Sequence, residues 1–400
     1  MVNPYAEDRT AQQVRSMSEF KIPPISTLAG SSFVGYFRIL RHGKVAERSY
    51  LKVLLTTLVV LIRAPFQLWE NLVFGIKISR ASPFAQPLFI LGHWRSGTTL
   101  LHNVLCQDPR ASYLTTYASV FPNNMASTWI FKTFLKMNMP EKRPSDGVAL
   151  HTDFPQEDEF AFGNMQPNAY YNFFYFPSRY QQYYDRAVHH AGMDEREIDR
   201  WYRTYDKLLK KAAVASSGER MIVKNPVNTA RIGKLLQLYP DAKFIYIQRN
   251  PIEVFLSTRR FFQQLMPTLC LEEPPTKSFM DDMILNVYDR MMHDYEEQRS
   301  LIPAKNLLEI RYEVFAEAPL VTLEAIERNL LDRDPAPALS NYSAYLNTQK
   351  SHRTNTYDVE EADLQHVLKC LRPHMSRSGY ALPESIKAVT STQGRSEPPN

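Results

Sequence analysis

What the chain lacks narrows its class first. It has three cysteines in 400 residues, Cys106, Cys270 and Cys370. Scattered and odd in number, they give no disulfide framework and no metal-ligand spacing, and they fit a reducing, cytoplasmic compartment. No apolar run reaches the ~20 residues that a spanning helix needs. Residues 1–17 are too polar and too mixed in charge for a signal peptide. The net charge of +5 comes without a dense Lys/Arg stripe, so nothing suggests a nucleic-acid partner. No internal repeat is evident. What is present is an apolar fraction of 44%, enough over this length to bury a full core in one to three domains.

Residues 87–102, Pro-Leu-Phe-Ile-Leu-Gly-His-Trp-Arg-Ser-Gly-Thr-Thr-Leu-Leu-His, organise the rest. Residues 88–91 form a short apolar run suited to a buried parallel strand. Gly92 breaks it, and from Thr98 the spacing of Leu100, Leu101, Val104 and Leu105 predicts a helix packed on a sheet. Strand, small-residue turn and helix aim free backbone N–H groups and a positive dipole end at an anion. Gly97 permits close backbone approach, Thr98 and Thr99 add hydroxyl donors, and Arg95 puts a positive fork inside the turn. The expected phosphate cradle runs from Arg95 through Ser96, Gly97, Thr98 and Thr99 to Leu100. Its spacing nearly matches the nucleotide loop Gly-x4-Gly-Lys-Ser/Thr, but Thr98 stands where the lysine belongs. No clear apolar strand ends in an Asp that would hold Mg²⁺.

Upstream, residues 1–48 are polar and read as a surface arm. The ten-residue apolar run 53–62 follows, then Pro65, then more apolar residues broken by Glu70 and Asn71. One or two amphipathic helices covering the core are expected here. The competing reading is a peripheral membrane contact through 49–78, with Trp69 and flanking basic residues at the interface.

Downstream, 111–116 predicts a second strand. Pro155 suits the first position of a helix, and Glu157, Asp158 and Glu159 suit its first turn. Neighbours on a helix diverge by about 100°, so at most one or two of these acids can face a site. Glu157 or Glu159 is the candidate general base for an acceptor hydroxyl, with plain helix initiation as the alternative. Residues 170–184 carry nine aromatics among fifteen residues, against 12% for the chain. That density fits either a pocket for a flat or lipid-like acceptor or an aromatic helix on the sheet. Residues 185–218 read as a charged helix with Trp201, Tyr205, Leu208 and Leu209 on its apolar face.

Strands at 221–224, 243–248 and 307–311 alternate with helices, which predicts a parallel sheet covered on both faces. Ligands of such sheets sit at the carboxyl ends of the strands, where Gly92, Lys224-Asn225 and Arg249 all fall. Asn250 and Pro251 predict an N-cap and first helical position, with a helix running to about residue 265.

The Arg95 loop together with Arg249-Asn-Pro-Ile-Glu-Val-Phe-Leu-Ser257 resembles the paired donor motifs of sulfotransferases, in the branch with Arg-Ser-Gly-Thr-Thr-Leu. The resemblance covers roughly residues 87–319. It implies a three-layer α/β, P-loop NTPase-like fold with a helical N-terminal segment and a helical insertion. It also implies the donor 3′-phosphoadenosine 5′-phosphosulfate, held by the loop at its 5′ end and by Arg249 and Ser257 at its 3′-phosphate, without a metal. Guanidinium forks and hydroxyl donors suit phosphate. Arg311-Tyr312-Glu313 is similar to the family's Tyr-Glu segment, so Tyr312 is expected to stack on or border the adenine. Lys224 is expected at the sulfuryl oxygens, or else as a solvated strand-end lysine.

The sequence departs from the protein-tyrosine members where their glutamate base follows the second strand, for Thr115-Thr116-Tyr117 stands there. The histidine base of soluble aromatic members finds only a loose counterpart in His151. Arg95, with Glu157 or Glu159, is therefore expected to carry catalysis on a hydroxylated, hydrophobic acceptor. Rival readings are a P-loop kinase or NTPase and a non-catalytic, membrane-associated nucleotide-binding module. The expected organisation is an N-terminal arm with apolar helices over 1–85, a catalytic domain over 86–375 with an insertion at about 117–218, and a tail over 376–400. The loop 350–353 with Tyr357 is expected to close over the nucleotide or to be a basic surface loop. Oligomeric state is not legible.

Overall fold

The computed structural model describes residues 25–81, 86–139, 151–216, 218–349 and 357–389. Five parallel strands form the central sheet, β1 (Leu88–Leu91), β2 (Ala111–Ser112), β3 (Arg220–Lys224), β4 (Lys243–Gln248) and β5 (Leu307–Arg311), in the order β2-β3-β1-β4-β5. The register pairs Ile90 with Lys224, Leu91 with Tyr246, and Gln248 with Arg311, so the carboxyl ends of β1, β3, β4 and β5 finish at one edge.

Alternation along the strands splits the core in two. Phe89, Leu91, Val223, Phe244 and Tyr246 face one cluster of buried side chains. Leu88, Ile90, Ile222, Ile245 and Ile247 face the other. This is the three-layer arrangement expected of strands alternating with helices.

Seven helices matter for the site. They are α1 (Tyr50–Arg80), α2 (Thr98–Leu105), α3 (Asp158–Met165), α4 (Glu195–Ala215), α5 (Pro251–Leu269), α6 (Lys277–Gln298) and α7 (Glu361–Ser378). The α5 start is as expected: the Asn250 side chain accepts from the Ile252 N–H at 3.1 Å, and Pro251 occupies the first turn. α4 opens on a capping box between Asp194 and Glu197, and buries Trp201, Tyr205, Leu208 and Leu209.

Three expectations need correction. Residues 53–78 lie in one continuous helix, as one of the two readings had it, but that helix does not cover the core with its apolar face. It is long and apolar enough to cross a membrane by length and composition. Pro65 lies inside it, between buried Arg63 and Glu70, which fasten the helix on either side. The Arg63 Nε donates to the Ala29 carbonyl at 3.0 Å, and Glu70 pairs with Lys211 at 2.6 Å. The second strand stops at Ser112, and Thr115 instead caps the helix Thr116–Val120 through the Ala118 N–H. The aromatic run is not one helix but two 3₁₀ turns, Tyr170–Phe174 and Pro177–Arg179, leading into the helix Tyr180–His189. α7 runs to Ser378, and Ile386–Val389 pairs in parallel with Tyr357–Glu360 in a small second sheet. Asn250 Nδ2 donates to the Ala381 carbonyl at 2.7 Å, docking this segment beside the end of β4.

Candidate active site

The loop after β1 is built by its glycines. Gly92 sits at φ 136°, and an added Cβ would lie 2.5 Å from the Ile247 carbonyl oxygen. Its N–H donates to Thr229 Oγ1 at 2.8 Å, which ties the loop to the turn after β3. Ser96 donates to the His93 carbonyl from both its N–H, at 3.2 Å, and its hydroxyl, at 2.8 Å. This closed turn holds Arg95 at φ 67°, a region that costs any residue with a Cβ. Gly97, at φ 99°, caps α2, so the N–H groups at the start of α2 open onto the turn. Leu100 packs its side chain against the second core cluster.

The arginine motifs, far apart in sequence, meet here. Arg95 Nε donates to Ser257 Oγ on α5 at 2.9 Å. The Arg249 guanidinium donates to the Arg95 carbonyl at 3.4 Å and pairs with Glu253 at 3.0 Å. It also lies over the Tyr312 ring, 4.4 Å from the centroid. That ring rests on the loop, since a Cβ on Gly97 would come within 2.3 Å of it. Arg95, Gly97, Arg249, Ser257 and Tyr312 thus form one continuous surface at the carboxyl edge of β1 and β4.

The two candidate acids have different surroundings. Glu159 is fully buried and saturated. Arg231 forks it at 2.7 and 2.9 Å, Asn225 Nδ2 donates at 2.7 Å, and the Tyr170 N–H donates at 2.6 Å. It can take no further partner and serves as the keystone of the layer beneath β3. Glu157 faces the loop instead. Its carboxylate pairs with Lys224 Nζ, whose ammonium also reaches Thr99 Oγ1 at 3.4 Å, and it accepts from the Tyr171 hydroxyl. Its side chain is 14% exposed.

The reason Glu157 arrives there is backbone pairing. The Thr116 N–H donates to the Phe154 carbonyl and the Gln156 N–H to the Leu114 carbonyl, both at 2.8 Å. Position 115–117, which lacks a carboxylate in sequence, thereby receives one in space from the strand-like segment beside it. Between the two acids in sequence, Asp158 is buried and its carboxyl is pushed up to about 7, mainly by burial and secondarily by the charge of Glu159. Its Oδ2 accepts from the Tyr205 hydroxyl at 2.6 Å.

The aromatic run is core. Tyr170, Tyr171, Phe173, Phe174, Tyr175 and Phe176 are all buried. Together with Trp94, Phe262, Met283 and Val287 from the loop, α5 and α6, Tyr170 and Phe173 line a small apolar cavity. The Trp94 ring is part of that lining, and its Nε1–H donates to the Tyr171 hydroxyl at 2.7 Å. Trp94, Tyr171 and Arg231 were not singled out from sequence. The motif contained Trp94 and the aromatic run contained Tyr171, but only the fold distinguishes these rings from their neighbours. His93, also unremarked, is buried at the same cavity, its imidazole pushed down to about 4 by burial. His151 is exposed and accepts from the Asp153 N–H at 3.3 Å. Residues 350–353 lie outside the described residues, and Tyr357 opens the small second sheet.

Comparison with known proteins agrees with this geometry. The model of the sulfotransferase family matches residues 87–331. The omega-hydroxy-beta-dihydromenaquinone-9 sulfotransferase Stf3 of Mycobacterium bovis, and that of Mycobacterium tuberculosis, are each 30% identical over 333 residues, 82% of this chain and 85% of theirs. Among solved structures, sulfotransferase STF9 from Mycobacterium avium aligns with a TM-score of 0.63 at 16% identity, over 88% of this chain and 98% of its own. STF1 from Mycobacterium tuberculosis aligns at 0.59 and 14% identity, over 91% and 97%. At these identities the solved structures speak for the fold alone. The family match begins at the strand that feeds the arginine loop and runs past Tyr312, and with relatives aligned over most of both chains, this chain belongs to the sulfotransferase family and is a sulfotransferase enzyme.

Proposed function

We propose that the enzyme transfers the sulfuryl group of 3′-phosphoadenosine 5′-phosphosulfate to a hydroxyl on a hydrophobic, lipid-like acceptor. The observation that carries the reading is the convergence of Arg95, Arg249, Ser257 and Tyr312 beside a loop whose far wall bears Glu157 and Lys224. The donor has two anionic ends. The N–H groups of Ser96 to Thr99 and the Arg95 fork suit the 5′ end, and Arg249 with Ser257 suits the 3′-phosphate. Tyr312 offers a ring for the adenine.

In this mechanism Glu157 accepts the proton of the acceptor hydroxyl while its oxygen bonds to sulfur. The bond from sulfur to the bridging oxygen breaks, and adenosine 3′,5′-bisphosphate leaves. Negative charge grows on that bridging oxygen, where Arg95 and the loop N–H groups stabilise it more in the transition state than in the ground state. Lys224, shared between Glu157 and Thr99, holds the carboxylate toward the loop, and its ammonium charge suits the sulfuryl oxygens of a donor bound there. No step calls on a metal.

Two observations support a hydrophobic acceptor. The relatives' name gives a hydroxylated menaquinone derivative as theirs. In this chain, the Glu157 carboxylate accepts from the Tyr171 hydroxyl, which itself accepts from Trp94, so the candidate base is flanked by aromatic rings. The test is transfer of radiolabelled sulfate from the donor onto a panel of long-chain isoprenoid alcohols, hydroxysteroids and phenols. The isoprenoid alcohols are expected to be labelled. Absence of label on every hydrophobic acceptor, with labelling of polar sugars instead, overturns the acceptor class.

A further inference from the structure

α1 is amphipathic in the inverted sense. Its exposed positions from 51 to 76 include Leu51, Leu54, Leu58, Leu61, Leu68, Leu72 and Ile76, and at about 100° per residue they fall on one face. Leu72 is 81% exposed. No exposed residue from 51 to 76 is charged, and Asn71 is the one polar side chain among them. The polar groups point inward. Thr56, Arg63 and Glu70 are buried, Arg63 also reaches Ser31 and Asn124, and Glu70 accepts from the Ala126 N–H at 2.8 Å. A helix on a water-soluble body does the reverse.

Neighbouring helices extend the apolar surface. The helix Phe33–Leu40 is held to α1 by Tyr36, whose hydroxyl donates to the Val53 carbonyl at 3.0 Å, and it exposes Phe33, Val34 and Phe37. The helix Thr128–Asn138 packs Phe131 edge-on against Phe66 and exposes Trp129 and Met137.

We infer that this face seats the enzyme on an anionic phospholipid surface, with α1 lying in the plane of the interface. The charge pattern selects the occupant. Exposed Arg38, Arg41 and Lys44 precede the apolar stripe, with Glu47 the one exposed acid in that segment and Arg48 paired with Glu273 at 3.5 Å, and Lys77 and Arg80 follow it. A second copy related by a twofold axis would set cations against cations whichever way the two helices ran. Anionic headgroups neutralise both ends at once. The helix lies on the membrane instead of spanning it, because Lys52, Thr56, Arg63 and Glu70 bind it to the protein along its length. Such buried ionic contacts cannot be exchanged for lipid. The inference is independent of the acceptor's identity.

The test is flotation of the full chain with vesicles of equal parts phosphatidylglycerol and phosphatidylcholine, and with phosphatidylcholine alone. The wild type is expected to float with the anionic vesicles and less with the neutral ones. The double variant L58E/L72E alters two exposed positions. It is expected to lose about a hundredfold or more in vesicle partition, since each buried leucine is worth about tenfold or more. It should keep its thermal midpoint and its affinity for adenosine 3′,5′-bisphosphate, which separates loss of docking from loss of fold. A wild type that stays in the soluble fraction with both vesicles overturns the inference, as does a double variant that floats unchanged. A concentration-dependent dimer that the variant abolishes, without vesicle binding, assigns the face to a second copy and overturns it too.

Discussion

Replacing Glu157 by Gln is the sharpest test of the reaction scheme, because it keeps the shape and removes the proton acceptor. Removing a general base costs about two to four orders of magnitude in rate, or roughly 3–5 kcal/mol in barrier. The structure says how much of any loss would be indirect. Lys224 is 3% exposed in its side chain and would lose its carboxylate partner. Breaking a buried pair costs about 3–5 kcal/mol, so a fall in thermal midpoint is expected as well. Tyr171 keeps a partner, since it already accepts from Trp94 and a glutamine can still bond its oxygen. The Arg95, Arg249 and Ser257 cluster does not touch Glu157 in any described contact, so donor binding should survive. The assay is single-turnover sulfate transfer on a labelled isoprenoid alcohol, with calorimetry of adenosine 3′,5′-bisphosphate binding and a melt on the same preparation. The expected result is a large fall in the transfer rate with nucleotide affinity within about threefold of wild type. A rate that stays within that range refutes Glu157 as the base. So does a rate loss matched step for step by lost nucleotide affinity.

Other outcomes follow from neighbouring contacts. Arg95→Ala should lower turnover by about two or more orders of magnitude, by analogy with loss of one oxyanion donor; single-turnover kinetics at saturating donor checks it. Gly97→Ala drives a Cβ to within 2.3 Å of the Tyr312 ring at φ 99°. Calorimetry should show about tenfold or more weaker binding of adenosine 3′,5′-bisphosphate. Glu159→Gln opens the buried fork with Arg231 and should cost about 3–5 kcal/mol of stability, read as a denaturant midpoint, with turnover per folded molecule largely kept.

Asp158 gives a pH signature. Its folded pKa is raised from 3.8 to about 7, so between those values the folded state holds a proton that the unfolded state has lost. Its contribution to stability is therefore lost as pH rises through that window, while the buried His93, lowered to about 4, works in the opposite direction. The difference in thermal midpoint between wild type and Asp158→Asn isolates the first term. Wild type should lose ground to the variant from pH 5 to pH 8, and a constant difference would sink the argument.

The parts of this molecule that were legible in sequence are those where local chemistry dictates geometry. Gly92 and Gly97 announce positive-φ turns, Asn250-Pro251 announces a helix start, and apolar runs of four to six residues announce buried strands. Because parallel sheets collect their loops at one edge, Arg95 and Arg249 could be expected to meet, and they do. The choice between Glu157 and Glu159 could not be read that way. It depends on Arg231 and Asn225, distant residues that enclose one acid, and on pairing between 114–116 and 154–156 that aims the other at the loop. The outward face of α1 was one of two sequence readings, left open for a related reason. Hydrophobic periodicity locates a stripe but not its direction, and the buried arginine and glutamate that turn it outward are recognised only once their partners are known.

The pairing that delivers Glu157 has a consequence for heat and proteolysis. The carboxylate is carried by a short antiparallel contact, not by the central sheet that fixes the arginines. Loosening of that contact alone would silence the enzyme while leaving its nucleotide cradle assembled. Turnover should therefore fade at temperatures where adenosine 3′,5′-bisphosphate is still held, a dead but loaded form preceding global unfolding.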